Sequence, residues 1–368
     1  MKIVIAPDSF KSSASSLEVA QAIENGILSV IPNCETLKIA IGDGGEGTLE
    51  AAIHAGFTPH EVQVTGPTNK TVQSKFGMRG AVALVELAQA SGLGLLPDKK
   101  LEPLISTSYG TGQLIKAALD QGAQRIILAI GGSACTDAGA GALQALGAKL
   151  LDISGNEIAR GGAALAQCQK IDVTQLDSRL ADVEFILASD VTNPLLGENG
   201  AAKVYSPQKG ATQSEVEILE KAISHFAQLA GTTYLEAPGA GAAGGFGFMA
   251  MTFLKAKPQS GIELILDLVE FSSKIAGANL VITGEGKFDS QSLHGKAPIG
   301  VLQRCSELSI PVALICGQAL LNSSDEIVRK FDSINTLASI EKDIDKCMKE
   351  PGPIIEKIAA SIAKRVTS

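Results

Sequence analysis

What most restricts the fold of this chain is a recurring unit. A short apolar run stops abruptly at Gly, Asp or Ser, and a longer amphipathic segment follows. Residues 2–5 end in Ala6-Pro7-Asp8-Ser9-Phe10-Lys11, and residues 37–41 end in Gly42-Asp43-Gly44-Gly45-Glu46-Gly47-Thr48. The runs at 125–130, 183–188 and 280–283 end in similar loops. Continuous apolar runs of this length fit strands buried on both faces, and the amphipathic segments fit covering helices. Over 16–30, Ser15 or Ser16 can cap a helix, and Leu17, Ala20, Ile23 and Ile27 recur at helical spacing. The predicted class is α/β.

The rhythm breaks once. Residues 61–65 and 72–76 alternate around Gly66-Pro67-Thr68-Asn69-Lys70, which reads as an antiparallel hairpin. A strand over 81–87, helices near 111–119 and 213–229, and the two buried strands at 125–130 and 183–188 follow it. From about Gly239 the alternation resumes. Helices are expected there over 244–255, 263–276 and 299–308, with a Gly-rich turn after the strand at 280–283 and last strands over 311–316 and 334–339. The simplest assembly is a flavodoxin-like parallel-sheet domain made of 1–60 and 240–368, interrupted by a second, mixed α/β domain over 61–239.

Composition narrows the partners. The chain has 368 residues, enough for two domains. Its 39 acids against 31 bases give a net charge of −8, which opposes binding to nucleic acid or anionic membranes. It has no Trp and only 4% aromatic residues, a poor supply of base-stacking platforms. Cys34, Cys135, Cys168, Cys305, Cys316 and Cys347 are scattered, and the four histidines do not cluster. That pattern predicts free thiols in a reducing compartment and no zinc site. The apolar N-terminal stretch is too short for a signal peptide, and no run is long enough to span a membrane. The expectation is a cytoplasmic protein acting on a small molecule, without a nucleic-acid or membrane partner. A homo-oligomer is compatible with the sequence.

In open parallel sheets, ligands bind beyond the carboxyl ends of the strands. This sequence collects its unusual residues there: Asp8 to Lys11, the loop 42–48, Gly131-Gly132-Ser133-Ala134-Cys135-Thr136-Asp137, Ser189-Asp190-Val191-Thr192-Asn193, and Gly284-Glu285-Gly286-Lys287-Phe288-Asp289 with Gln291 and Lys296. Glycines let backbone N–H groups approach an anion. Acids in the same loops would repel it, by roughly 4 kcal/mol for unit charges about 4 Å apart at an effective dielectric near 20. A divalent metal between them, or an acid that takes a substrate proton, reconciles the two. Phosphoryl transfer uses this mixture. Structural readings stand beside it: Asp137 can cap the next helix, Lys209 can belong to a plain turn, and Lys11 can be a surface lysine. No G-x-x-x-x-G-K-[ST] occurs, so a P-loop is excluded. A nicotinamide-dependent dehydrogenase and a non-catalytic sugar-acid sensor remain as alternatives.

With these residues in hand, the chain resembles the bacterial glycerate kinase family, of the type that makes 2-phosphoglycerate. The resemblance is carried by APDSFK at 6–11, GDGGEGT at 42–48, YGTGQLI at 109–115, IGGSACTDAGAG at 130–141, SDVTNPLLG at 189–197, SPQKGA at 206–211, GAGAAGGFG at 239–247 and ITGEGKFDSQSLHGKAP at 282–298. It implies ATP-dependent phosphorylation of D-glycerate with Mg²⁺, in a cleft between a flavodoxin-like domain and a second α/β domain. Carried onto the matching motifs, Gly131, Gly132, Ser133, Asp137, Glu285 and Lys296 would bind the nucleotide. Ser9, Lys11, Asn193, Lys209 and Gln291 would bind substrate. Asp43 and Asp190 would hold the metal, and Asp190 or Asp289 would accept the hydroxyl proton, with Lys11 beside the transferred group. Departures from the family pattern are mild: Gln113 for a frequent Glu, Ser189 for a frequent Cys, Ser292 for a frequent Thr, and Ala138 and Ala240 for frequent glycines.

Overall fold

The computed structural model describes residues 1–10, 13–42, 44–45, 47–290, 292–293, 296–321 and 325–367. In chain order its strands are β1 (Lys2–Pro7), β2 (Glu35–Lys38), β3 (Thr58–Thr65), β4 (Thr71–Arg79), β5 (Val82–Glu86), β6 (Arg125–Ala129), β7 (Lys149–Leu151), β8 (Lys170–Asp172), β9 (Glu184–Ala188), β10 (Lys257–Gln259), β11 (Leu280–Phe288), β12 (Val312–Ala319) and β13 (Ser333–Thr336). The chain divides into two compact units. Met1–Asp43, Glu50–Ala55 and Ile262–Ser368 form the first; Gly44–Leu49 and Gly56–Gly261 form the second.

The first unit holds a five-stranded sheet ordered β2-β1-β11-β12-β13, parallel throughout. This is the flavodoxin-like order, whose direction of winding switches between β1 and β11. Ile3, Val4 and Ile5 are wholly buried, as a two-sided sheet requires. The helix Ser16–Leu28 starts at a capping box: the Ser15 hydroxyl accepts from the Glu18 N–H and the Glu18 carboxylate accepts from the Ser15 N–H. Its buried face, Val19, Ala20, Ile23 and Ile27, meets Ile355, Ile358, Ala359 and Ile362 of the helix Pro351–Thr367. Gly26 sits at that seam, where a Cβ would lie 2.3 Å from the Glu356 carbonyl oxygen.

Several expectations change in this unit. The loop expected after residue 283 is strand, because β11 continues to Phe288 and pairs with β12 as far as Ala319. Its glycines permit a close ladder: a Cβ on Gly317 would lie 2.4 Å from the Gly286 carbonyl oxygen. The single helix expected over 263–276 is two, Gly261–Leu268 and Phe271–Ile275, broken at Glu270, whose φ is 55°. Left-handed backbone cannot continue an α-helix. Likewise, the strand expected to 339 stops at Thr336, and Leu337–Ile340 is a helical turn.

The second unit holds a six-stranded sheet ordered β10-β9-β6-β5-β4-β3. β5, β6, β9 and β10 run parallel, while β3, β4 and β5 are antiparallel neighbours. The expected hairpin is present, with Thr65 opposite Thr71 and Asn69 at φ 62° in its turn. β7 and β8 form a separate two-stranded sheet. The core gathers Phe76, Phe185, Phe226, Phe246 and Phe248, each at most 2% exposed. Each such side chain contributes about 1.5–3 kcal/mol by leaving water. Among the described residues no helix is long and apolar enough to cross a membrane.

The seam at Gly26 gives a stability test. Gly26→Val should lower the melting temperature by several degrees, a cost of roughly 1–3 kcal/mol from overpacking against the facing backbone. Gly352→Ala, where nothing lies within 4 Å of the added methyl, should leave melting nearly unchanged. Equal melting of both variants by circular dichroism would contradict the packing described.

Candidate active site

In the second unit, three loops converge at the carboxyl ends of β6 and β9. The Gly131 N–H donates to the Gly44 carbonyl at 3.2 Å, and a Cβ on Gly131 would sit 2.4 Å from Gly45 Cα. A Cβ on Gly44, which has φ 83°, would lie 2.9 Å from the Ala188 carbonyl oxygen at the end of β9. Only glycine tolerates both the conformation and the approach. Asp190 follows β9 and accepts the Gly261 N–H at 3.0 Å, at the start of the helix Gly261–Leu268. Glu86, wholly buried at the end of β5, accepts the Leu49 N–H at 2.8 Å and the Gly47 N–H at 3.3 Å. That carboxylate therefore holds the same loop from beneath.

The loop 131–137 is braced from inside by two charges. Lys209 is 2% exposed and donates to the Ser133 hydroxyl at 2.8 Å and the Cys135 carbonyl at 2.6 Å. Burial lowers its pKa to about 8. Asp137 is wholly buried. Its carboxylate accepts the Ser108 N–H and hydroxyl at 2.8 and 2.9 Å, the Thr107 hydroxyl at 3.3 Å, and the Gly139 and Gly141 N–H groups at 3.2 and 3.3 Å. Four of the five bonds fall on Oδ2 and one on Oδ1. These two placements correct the direct-ligand roles expected for Asp137 and Lys209. Both side chains face the interior, because each satisfies polar backbone that would otherwise be buried without partners. Ala138, in the place of a frequent glycine, takes φ 51° beside this network.

Asn193 is likewise engaged locally: its amide donates to the Asn199 carbonyl at 2.8 Å and accepts the Tyr205 hydroxyl at 2.6 Å. Gly131 and Gly132 are not buried; the Gly131 N–H is held by the Gly44 carbonyl, so the exposed Gly132 is the open point of the loop, with Ser133 beneath.

In the first unit, Asp8, Ser9, Glu285 and Lys296 line one cavity of about 300 Å³ at the carboxyl ends of β1, β11 and β12. Asp8 and Glu285 are each 5% exposed. The Asp8 N–H donates to the Gly284 carbonyl at 2.8 Å, tying the two strand ends together, and the Ser9 N–H donates to the Asp8 carboxylate at 2.7 Å. Lys296 stands at the cap of the helix Ala297–Glu307. Asp289 lies beyond β11, paired with Lys287 at 3.0 Å, and does not line this cavity. Lys11, Asp43 and Gln291 lie outside the described residues. The sequence reading missed the parts of Asp8 and Glu86. The available signal was an acid closing an otherwise apolar strand, Val82-Ala83-Leu84-Val85-Glu86. Gln113, in the place of a frequent Glu, accepts the Thr65 N–H at 2.7 Å.

A flavodoxin-like sheet and a mixed sheet, each with Gly, Lys and carboxylate loops at a carboxyl edge, define an α/β protein of the class that places its ligands at strand ends. Comparison with known proteins makes this specific. The family model described as the glycerate kinase family matches residues 3–367. Glycerate kinase from Bacillus subtilis (strain 168) is 46% identical, over 100% of this chain and 98% of the relative. Glycerate 2-kinase from Escherichia coli (strain K12) is 48% identical, over 86% of this chain and 85% of the relative. A crystal structure assigned to glycerate kinase 2 from Salmonella typhimurium LT2 superposes with a TM-score of 0.82 at 42% identity, covering 100% of this chain and 98% of that one. The chain belongs to the glycerate kinase family, and it is an enzyme, a kinase. The dehydrogenase and sensor alternatives are thereby set aside.

The buried lysine makes a pH prediction. Its folded pKa, about 8, lies below the ordinary 10.5 of the unfolded chain. Between those values the unfolded chain binds more protons, so the penalty of burying this charge fades as pH rises through the window. Urea melts of the wild type should therefore gain stability between pH 8 and pH 10.5 relative to Lys209→Met. Parallel pH profiles for the two proteins would refute the assignment.

Proposed function

We propose that this kinase transfers the terminal phosphoryl group of ATP to D-glycerate, giving 2-phosphoglycerate, in a cytoplasmic setting. The observation that carries the reading is a family match over residues 3–367, with related kinases of near-full coverage named for glycerate. The chain also keeps both loop sets that phosphoryl transfer requires. Position 2 is supported by the Escherichia coli relative, whose name specifies it.

The exposed backbone at Gly132, with Ser133, suits phosphate oxygens, and Lys209 behind it adds positive charge as a positioning residue. Lys296 offers a second ammonium at the other loop set. Ser9, Asn193, Lys11 and Gln291 are assigned to the substrate's carboxylate and hydroxyls. Among the described residues no three His, Cys, Asp or Glu side chains gather into a metal site. Mg²⁺ usually takes one or two carboxylates and completes its shell with phosphate and water. Asp190, with Asp43, would hold it, and the ion would neutralise charge on the phosphates. Asp289 or Asp190 takes the hydroxyl proton as the acceptor oxygen attacks in line.

Two measurements test this. Phosphorus NMR after incubation with ATP, Mg²⁺ and D-glycerate should show a new ester at the 2-position. An ester only at the 3-position would refute the regiochemistry, and no ester would refute the activity. Asp190→Asn keeps an oxygen for the Gly261 N–H, so folding should survive. Its kcat should nevertheless fall by roughly a hundredfold to ten-thousandfold. Near-normal turnover would remove Asp190 from the chemistry.

A further inference from the structure

We propose that the cavity at the carboxyl edge of the first unit's sheet binds the nucleoside end of the phosphoryl donor, with the base against its apolar wall. This rests on the ATP-dependent reading above and specifies where that nucleotide sits.

The cavity has two unlike sides. Asp8, Glu285 and Lys296 make the polar side; Leu337, Ile344 and Met348 make much of the apolar one. Ile344 is 58% exposed and Met348 44% exposed. Two large apolar side chains held open to water at the rim of a cavity gain a physical reason if a ligand covers them.

The chemistry of the two substrates decides between them. D-glycerate is a three-carbon acid with oxygen on every carbon. It has no apolar face, so an apolar wall gains nothing from it. A purine presents two apolar faces and repays the wall at about 25 cal/mol per Å² covered. The volume, about 300 Å³, is that of a small-ligand pocket and far exceeds what a three-carbon acid fills.

Charge orients the nucleotide. Asp8 and Glu285 are buried acids and would repel phosphate, whereas they can accept hydrogen bonds from neutral ribose hydroxyls. Lys287 and Lys296, which also line the cavity, match the phosphates. The cavity also adjoins the switch point between β1 and β11, where flavodoxin-like sheets place a nucleotide.

Cys347 lines the same cavity and supplies a probe that needs no mutation. It is the one cysteine that is not buried. Burial holds Cys305 and Cys316 up at about 12, so they react slowly. Wild-type enzyme is treated with N-ethylmaleimide near pH 8.5, and labelling of Cys347 is followed by peptide mass spectrometry. ATP and adenosine should each slow that labelling by roughly tenfold at saturation, whereas inorganic tripolyphosphate or D-glycerate alone should not. Protection by tripolyphosphate or D-glycerate but not by adenosine would overturn the assignment.

Failure of the underlying activity would look different: no phosphoglycerate would form at all. Normal turnover with Cys347 labelled equally fast with and without ATP sinks only the placement of the base. Should the thiol label too slowly to follow, Ile344→Glu and Met348→Glu decide instead. Both positions are exposed enough to fold. Each should raise KM for ATP by roughly tenfold, for about 1.4 kcal/mol of lost apolar contact, and leave KM for D-glycerate unchanged. An unchanged KM for ATP in both variants overturns the proposal.

Discussion

Gly131 meets Gly45 backbone to backbone, at a separation that any side chain would close. The second unit's loop geometry depends on that approach. With Gly131 bonded to Gly44, Gly44 and Gly45 lie at the ends of β6 and β9. Glu86 then finds the N–H groups of Gly47 and Leu49, and Gly261 lies close enough to Gly44 to bring Asp190 beside the same loop. A methyl group at Gly131 would push these partners apart together. The contact itself contributes little energy. Its effect is to let several stronger hydrogen bonds form in one place.

The two buried charges show how such a loop is made rigid. Lys209 and Asp137 both hold the loop 131–141 from within, and each bonds backbone and hydroxyl groups there. A buried charge is tolerated when hydrogen bonds compensate it. The result is a loop whose backbone directions are fixed by the fold itself. The first unit solves the same problem differently. There the paired ends of β1 and β11 set the positions of Asp8 and Glu285 directly.

Most of the architecture was legible in the sequence, because burial leaves a periodic mark. The apolar runs found all five strands of the first sheet, and the turn around Gly66 to Lys70 marked the hairpin. Where the pattern was mixed, it misled. Gly284 to Lys287 has the composition of a turn, yet it is strand, since β12 runs alongside and supplies the ladder. Glu270 breaks a helix with no Gly or Pro to announce it. The helix Pro351–Thr367 was overlooked although Ile354, Ile355, Ile358 and Ile362 carry a plain helical period.

Residue identity alone determined the α/β class, the loops in which chemistry could gather, and the family. Each depends on local order along the chain: hydrophobic period, glycine at strand ends, and motifs in sequence. Only the tertiary structure decided which polar residues in those loops face outward. Asp137 and Asp190 look alike in sequence, each an acid in a loop after a buried strand. One is wholly enclosed by Ser108, Thr107 and the Gly139–Gly141 turn, and the other is only half-buried. The enclosing partners of Asp137 include residues some thirty positions away. Whether the fold encloses a carboxylate in such a loop depends on such distant neighbours, and no local pattern records them.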